Sequence, residues 1–395
     1  MNNSLGQYYT QENISRLLIS KILVKNPKKI IELGIGDGSL IRVAQDKWKD
    51  SKIIGGDIDP ENVKSLKTEF PNLNLFLING LSSKLSQNLK IELGTIDVGI
   101  CNPPYLKIKK NGAVKSIIEN CNLGKLDSYP IITSDLVFLA QNLLLIRNGG
   151  ELGIILPDGL ITSHHFKHFR KQLINNYEIT GIIELPDKVF KKTEAKTHIL
   201  VIRKNKVDTK KTPIYLSDKD GKIIDKVEVN KTRLIHRMDY SYNKWLVSNE
   251  NHGATLLDIK AKIFRGKFSK KELTLSKHDF IHTSNLSKSI SYQSFKPNKR
   301  LLKKFNCAKK GDIIIPRVGK RCLGRVMVIE SGAVLISDCL YVIRVEKKYQ
   351  KILIDSLTNE KGKKWIEANS HGVCARVISK IDLLNFRINE DLNIN

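Results

Sequence analysis

The chain has 395 residues, 41% hydrophobic and 27% charged, and its 67 Lys+Arg against 40 Asp+Glu leave a net charge of +27. At about 150 residues per domain this is two or three domains with a sizeable core, which excludes an intrinsically disordered chain. The longest apolar runs, such as Asp135–Ile146, fall short of the ~20 residues of a membrane span, and the polar start MNNSLGQYYTQENIS has no signal pattern. Secreted and integral membrane classes are therefore excluded, and a cytoplasmic location is expected.

In chain order, Gln11–Val24 carries apolar residues at helical spacing, with Thr10 as its expected N-cap. Residues 28–205 then alternate strands with helices. The expected strands are Lys29–Leu33, Lys52–Asp57, Asn74–Ile78, Ile96–Cys101, Glu151–Leu156, Glu178–Leu185 and His198–Arg203. Leu40–Trp48, Pro60–Phe70, Ser134–Ile146 and His164–Asn175 read as helices between them. Such alternation predicts an open α/β sheet covered on both faces.

Residues 204–233 are polar, with one strand-like piece at Pro213–Leu216, and read as a domain edge and connection. Residues 245–395 mix short strands (Asp312–Pro316, Arg325–Glu330, Ala333–Ile336, Leu340–Val345) with helices at Gln350–Thr358 and Lys363–Asn369, separated at Gly362. This predicts a separate, irregular α+β domain, with the chain dividing into residues 1–240 and 241–395.

Charge is uneven along the chain. Residues 1–200 carry a net +6 and residues 201–395 a net +21. A basic half beside a near-neutral one points to a polyanionic partner, although a lysine-rich surface from an AT-rich genome would look similar. The six cysteines (Cys101, Cys121, Cys307, Cys322, Cys339, Cys374) form no CxxC knuckle and read as reduced thiols, not a zinc site.

The first strand runs into Gly34-Ile35-Gly36-Asp37-Gly38 and then a helix. Glycines there permit positive φ and close approach of a ligand to the backbone. The second strand ends at Asp57, about 20 residues on, where a carboxylate can accept hydrogen bonds from ribose hydroxyls. Asp59 is the better N-cap for the helix opening at Pro60. Loop and carboxylate together suggest an adenosine-containing cofactor, without separating NAD from S-adenosylmethionine.

The fourth strand ends in Asn102-Pro103-Pro104-Tyr105. Two prolines stop the ladder and stiffen the backbone. They hold the Asn102 amide and the Pro103 carbonyl as fixed acceptors beside the flat face of Tyr105. That is a slot for a planar ring bearing an NH₂ group. Accepting both N–H bonds favours a pyramidal nitrogen and frees its lone pair for attack on a methyl sulfonium, with positioning and electrostatics supplying most of the effect.

With these residues in place, the sequence resembles the gamma group of S-adenosylmethionine-dependent DNA adenine-N6 methyltransferases, which includes type I modification subunits and free-standing type II enzymes. The resemblance covers residues 5–205 well and the remainder loosely. It implies a Rossmann-like seven-stranded catalytic domain and a C-terminal target-recognition domain. Gly6-Gln7-Tyr8-Tyr9-Thr10 is similar to the group's first segment, with Gln11 in place of its usual Pro, and implies that Thr10 closes over the cofactor's methionine part. Glu32, Gly34 and Gly36 match the glycine-loop motif, and Asp57 and Ile58 match the ribose and adenine contacts. Asn79 stands where many relatives carry an acidic residue for the adenine amine. Phe190, before Thr193–Ile202, resembles the aromatic of the last catalytic motif, which sandwiches a flipped base. Asp135 reads as part of the capping region of its helix. His164, His165 and His168 lack a partner set for a metal and read as surface or phosphate contacts.

A target adenine inside a duplex must be flipped out to reach the slot, so something must grip double-stranded DNA. The segment Lys310–Val326 pairs an apolar strand with a glycine-punctuated basic loop and resembles part of a target-recognition domain. Arg317, Lys320 and Arg321 are its candidate DNA contacts, ahead of Arg265, Lys267, Lys299 and Arg300. The first motif starts at Gly6, leaving no room for the helical region of type I subunits, and no nuclease motif is evident. The expectation is a free-standing enzyme that modifies without cleaving; a cognate restriction endonuclease is a candidate partner whose existence the sequence does not give. Amine methylation of RNA, and a scaffold or subunit dependent on a partner, are the competing readings.

Overall fold

A computed structural model describes residues 9–187, 189–190, 196–205, 210–248, 253–276, 278–297, 307–319, 321–372 and 375–388. The chain divides into two compact units, Met1–Lys244 and Trp245–Asn395. Among the described residues no helix is long and apolar enough to cross a membrane.

The first unit begins with α1 (Glu12–Ser20), β1 (Lys29–Leu33), α2 (Ser39–Lys47), β2 (Lys52–Asp57), α3 (Pro60–Glu69) and β3 (Asn74–Leu77). It continues through α4 (Leu85–Asn88), β4 (Ile96–Cys101), β5 (Lys107–Ile108), α5 (Gly112–Asn120), β6 (Ile132–Thr133), α6 (Ser134–Leu145) and β7 (Ile146–Pro157). It ends with α7 (Asp158–Thr162), α8 (Lys167–Asn176), β8 (Glu178–Glu184), β9 (Thr197–Arg203), β10 (Lys211–Ser217), β11 (Ile223–Asn230) and α9 (Lys231–His236).

Nine strands form one sheet in the order β11-β10-β8-β9-β7-β4-β1-β2-β3. From β3 to β7 the strands are parallel, and β9 lies antiparallel between β7 and β8. The central strands β1 and β4 are apolar on both faces because helices cover both sides. Two apolar clusters, one on each side, hold the layers together.

The sheet is wider than the seven strands read from the sequence. The polar stretch after Arg203 adds β10 and β11, with β10 paired to β8 and β11 at the edge. Edge strand β11 exposes Asp225, Lys226 and Glu228, and these charges diluted its apolar signal. Helix α1 also departs from expectation. Its N-cap is Gln11, and the Thr10 hydroxyl is engaged elsewhere. Asp59 caps α3 as expected, accepting from the Glu61 N–H at 3.0 Å.

The second unit holds a five-stranded sheet in the order Lys262–Arg265, Leu340–Arg344, Ile313–Pro316, Met327–Ser331, Ser291–Ser294. Helices Lys347–Thr358 and Glu360–Asn369 follow. Gly362 does not separate them. The break falls at Asn359, whose side chain accepts from the Gly362 N–H at 2.7 Å. Gly362 sits inside the second helix, where a Cβ would meet the Ser356 carbonyl at 1.9 Å.

Candidate active site

The strand order reverses between β1 and β4, which opens a crevice at the carboxyl ends of the strands. The glycine loop after β1, the turn after β2 and the turn after β4 all end there. A cavity of about 140 Å³ is lined by Tyr9, Gly34, Gly36, Asp57, Ile58, Asn79, Asn102, Pro104 and their neighbours. A smaller adjoining cavity is lined by Thr10, Glu32, Asp37 and Asn102.

The loop's shape depends on glycine. Gly34, Gly36 and Gly38 have φ of +76°, +52° and +80°, where an L side chain is strained. A Cβ on Gly36 would stand 3.2 Å from the Tyr9 ring, which lies over the loop. Asp57 is buried and ties two backbones together. Its Oδ2 accepts from the Gly36 N–H and its Oδ1 from the Asp59 N–H, both at 2.8 Å. Each oxygen retains a second lone pair for a ligand hydroxyl. Asn79 is less available, because its Oδ1 already accepts from the Leu81 N–H at 2.9 Å.

Glu32 is 2% exposed, and its Oε2 has no hydrogen-bond partner. Burial pushes its pKa well above the usual glutamate range, and the Asp37 and Asp57 carboxylates push it further. Tyr9 is raised in the same sense, first by burial and then by Asp37, Asp59 and Asp57. Four carboxyl groups thus surround the loop, and among the described residues no Lys or Arg lines either cavity. The site is built for a cation. A diphosphate-linked dinucleotide would meet repulsion, whereas a sulfonium with an ammonium group meets an orphaned carboxylate. That charge balance, which the motif spacing left open, selects S-adenosylmethionine over NAD.

The turn after β4 is braced from two sides. The Asn102 Nδ2 donates to Thr10 Oγ1 at 2.9 Å, and the Tyr105 hydroxyl donates to Asn102 Oδ1 at 2.9 Å. These bonds fix which way the amide faces. Behind the turn, the Ser134 hydroxyl donates to the Pro104 carbonyl and accepts from the Leu106 N–H. Pro103 is buried beneath it.

Phe190 is 2% exposed and packs in the same apolar cluster as Ile183, Leu185 and Val189. Beside it, Gln11 Nε2 donates to the Val189 carbonyl at 2.6 Å. Lys196 and His198 continue the strand side of this region. Lys196 pairs with Glu184 at 2.6 Å and His198 with Asp158 at 2.9 Å, all four largely buried. Burial alone would raise Glu184, but Lys196 and His198 hold it well below the usual glutamate range.

The sequence reading missed Ser134, Leu106 and Phe138 as site residues. Phe138 lines the main cavity, and a Cβ on Gly80 would meet its ring at 2.5 Å. No local signal marks it, because it is one of many apolar residues in α6.

Asp135 is buried to 1% exposure beside Ser134. Neither of its oxygens closes a full hydrogen bond. Burial raises its pKa to about 7, against the weaker pull of Thr133 and the backbone N–H groups of Asp135 and Leu136. An acid whose folded pKa is raised is stabilising only while protonated. Stability therefore falls as pH rises from about 4, the unfolded value, towards 7. Asp135→Asn should remove this loss, so the variant gains a few kcal/mol over wild type at pH 8 and little at pH 4. Denaturation midpoints at the two pH values check it; an equal change at both is the contrary result.

Of the DNA-contact candidates in the second unit, Arg317 is half-buried and its Nε donates to the Asp338 carbonyl at 3.0 Å. Arg321, Arg265 and Lys267 are exposed. Lys320, Lys299 and Arg300 lie outside the described residues. His168 packs edge-on against Tyr129, with ring centroids 5.6 Å apart.

The strand order and the crevice define a Rossmann-like, class-I methyltransferase fold with a separate α+β unit. The chain belongs to the N-6 DNA methylase family, whose profile matches residues 1–271. That family uses S-adenosylmethionine as methyl donor. The type II methyltransferase M.BsuBI of Bacillus subtilis is 24% identical over 216 residues, 49% of this chain and 42% of that protein. The type I restriction enzyme MjaVII methylase subunit of Methanocaldococcus jannaschii is 26% identical over 228 residues, 53% of this chain and 38% of that protein. The chain therefore spans less than half the length of these relatives. The structure of the type IIG restriction endonuclease BpuSI aligns with 96% of this chain and 57% of its own, at 14% identity and a TM-score of 0.49.

Proposed function

We propose that this protein is a site-specific DNA adenine-N6 methyltransferase of the gamma group, acting in a restriction-modification system. The observation that carries it is the Asn102 amide, oriented by Thr10 and Tyr105 at the mouth of a carboxylate-rich cofactor cavity. In this reading Glu32 and Asp57 hold the polar parts of S-adenosylmethionine, and Ile58 and Phe138 line the place of its adenine. The cofactor supplies an electrophilic methyl group.

Asn102 Oδ1 and the Pro103 carbonyl are the two acceptors offered to the target amine. Two acceptors match the two hydrogens of the target amine. Holding them fixes the nitrogen and turns its lone pair towards the methyl group. Tyr105 stacks on the ring. The proton released after transfer leaves to water, since the motif contains no general base. The basic second unit, with Arg317, Lys320 and Arg321, grips and reads duplex DNA. A cognate endonuclease would cut the same sequence where it is unmethylated.

The test is methyl transfer from labelled S-adenosylmethionine to duplex DNA, RNA and protein in parallel. Label confined to adenine in one short DNA motif is expected. Label on RNA or protein instead, or none on DNA with the cofactor bound, overturns the proposal.

A further inference from the structure

We infer that the lysine-bearing segment directly after the catalytic turn, Lys107 with Lys109 and Lys110, holds the phosphodiesters that flank the nucleotide in the slot. The inference rests on the reading of that slot as a nucleobase pocket. It assigns part of the DNA grip to the first unit, Met1–Lys244, in addition to the second.

The local charge is one-sided. Between Asp97 and Glu119 there is no acidic residue, while Lys107, Lys109, Lys110 and Lys115 fall within that stretch. Lys107, Lys109 and Lys110 are exposed, and among the described residues none of them forms an ion pair with a carboxylate. Like charges held together repel one another, and a polyanion relieves that repulsion.

The lysines are also registered on the site. The Leu106 N–H donates to Ser134 Oγ, and the Ser134 N–H donates to the Leu106 carbonyl at 2.8 Å. β5 then pairs with β6, Lys107 opposite Thr133 and Ile108 opposite Ile132. The same Ser134 that braces the Pro104 carbonyl therefore sets where Lys107 begins. Ile108 packs against the core. Lys107 and Lys109 flank it and are exposed, as is Lys110. Two residues of chain span at most about 7 Å, the scale of one nucleotide of stretched backbone. Leu106, between Tyr105 and Lys107, is 37% exposed and lines the cofactor cavity, so the lysine segment starts at the edge of the site.

A nucleotide entering the slot carries a phosphate on each side. Its base stacks on Tyr105, and its phosphates come within reach of flexible ammonium groups. Such contacts carry no sequence information and serve to hold the extruded backbone.

The test compares wild type, Lys107→Gln/Lys109→Gln and Lys107→Arg/Lys109→Arg in the full-length chain, using unmethylated bacterial genomic DNA at several salt concentrations. For the glutamine variant the KM for DNA should rise about ten-fold near physiological salt, and its dependence on log salt should flatten by about two. Affinity for S-adenosylmethionine and Tm should match wild type, and the arginine variant should restore the salt dependence. A glutamine variant with the wild-type KM and salt slope overturns the inference while leaving the enzyme's activity standing. A wild type that methylates no DNA sinks the nucleobase reading itself, and this inference with it.

Discussion

Asn102→Ala should lower methyl transfer by about 10³-fold or more while S-adenosylmethionine still binds. The alanine removes one of two acceptors for the amine and frees Tyr105, whose hydroxyl bonds to Asn102 Oδ1. Both the electrostatic and the positioning contributions are lost together. Asn102→Asp keeps an acceptor oxygen in the same place, so it should retain more activity than the alanine variant. Stability should change little, by roughly 1–2 kcal/mol for the lost hydrogen bonds. Steady-state turnover with a separate cofactor titration reads both effects. Turnover of the alanine variant within ten-fold of wild type would refute the role given to Asn102.

Glu32→Gln should move stability and cofactor affinity in opposite directions. Burial, with Asp37 and Asp57 nearby, raises the Glu32 pKa well above its usual range. The empty protein therefore loses stability as pH climbs through the ordinary glutamate range towards that raised value. Glutamine does not titrate, so the empty variant should melt higher than wild type at pH 8. The difference should vanish at pH 4, where the wild-type carboxyl is neutral in both states. The cofactor's cationic end, in contrast, loses its partner. Its affinity should fall about 10- to 100-fold, the worth of a hydrogen bond to a charged group. Melting curves and a calorimetric titration at pH 8 test the pair of effects. A less stable variant with unchanged affinity would make Glu32 a structural residue and nothing more.

These opposed effects show how the site is arranged. The carboxylates that favour a cationic cofactor disfavour the empty fold, so the strain is released on binding. The same logic explains the Thr10 segment. Thr10 bonds to Asn102, Tyr9 covers Gly36, and Gln11 reaches Val189 beside Phe190. One short stretch touches the glycine loop, the catalytic amide and the loop of the buried aromatic. Gln11, a departure from the proline of the resembled group, supplies the side-chain amide for the last of these contacts.

Much of the site was legible because its determinants are contiguous. Central parallel strands are buried on both faces, so β1, β2 and β4 read as apolar runs ending in functional turns. Gly34, Gly36 and Asn102–Tyr105 act through backbone shape within a few residues, and local sequence specifies such shape directly. Strands β10 and β11 were harder, since an edge strand keeps one side in water and needs no continuous apolar run. Gly362 was misread as a break because a glycine that admits a neighbouring carbonyl looks the same as one that ends a helix.

The sequence by itself determined the alternating α/β architecture, the glycine loop, the amine slot and the uneven charge of the two halves. Each of these depends on residue type and short spacing. Only the tertiary structure decided that Thr10 orients Asn102, that Ser134 braces the slot and that Phe190 is buried. It likewise decided that Glu32 stands unpaired among other carboxyl groups. Thr10 and Asn102 are 92 positions apart and Ser134 and Pro104 30, and hydrogen bonding, desolvation and charge repulsion act through distance in space, which the order of residues does not state.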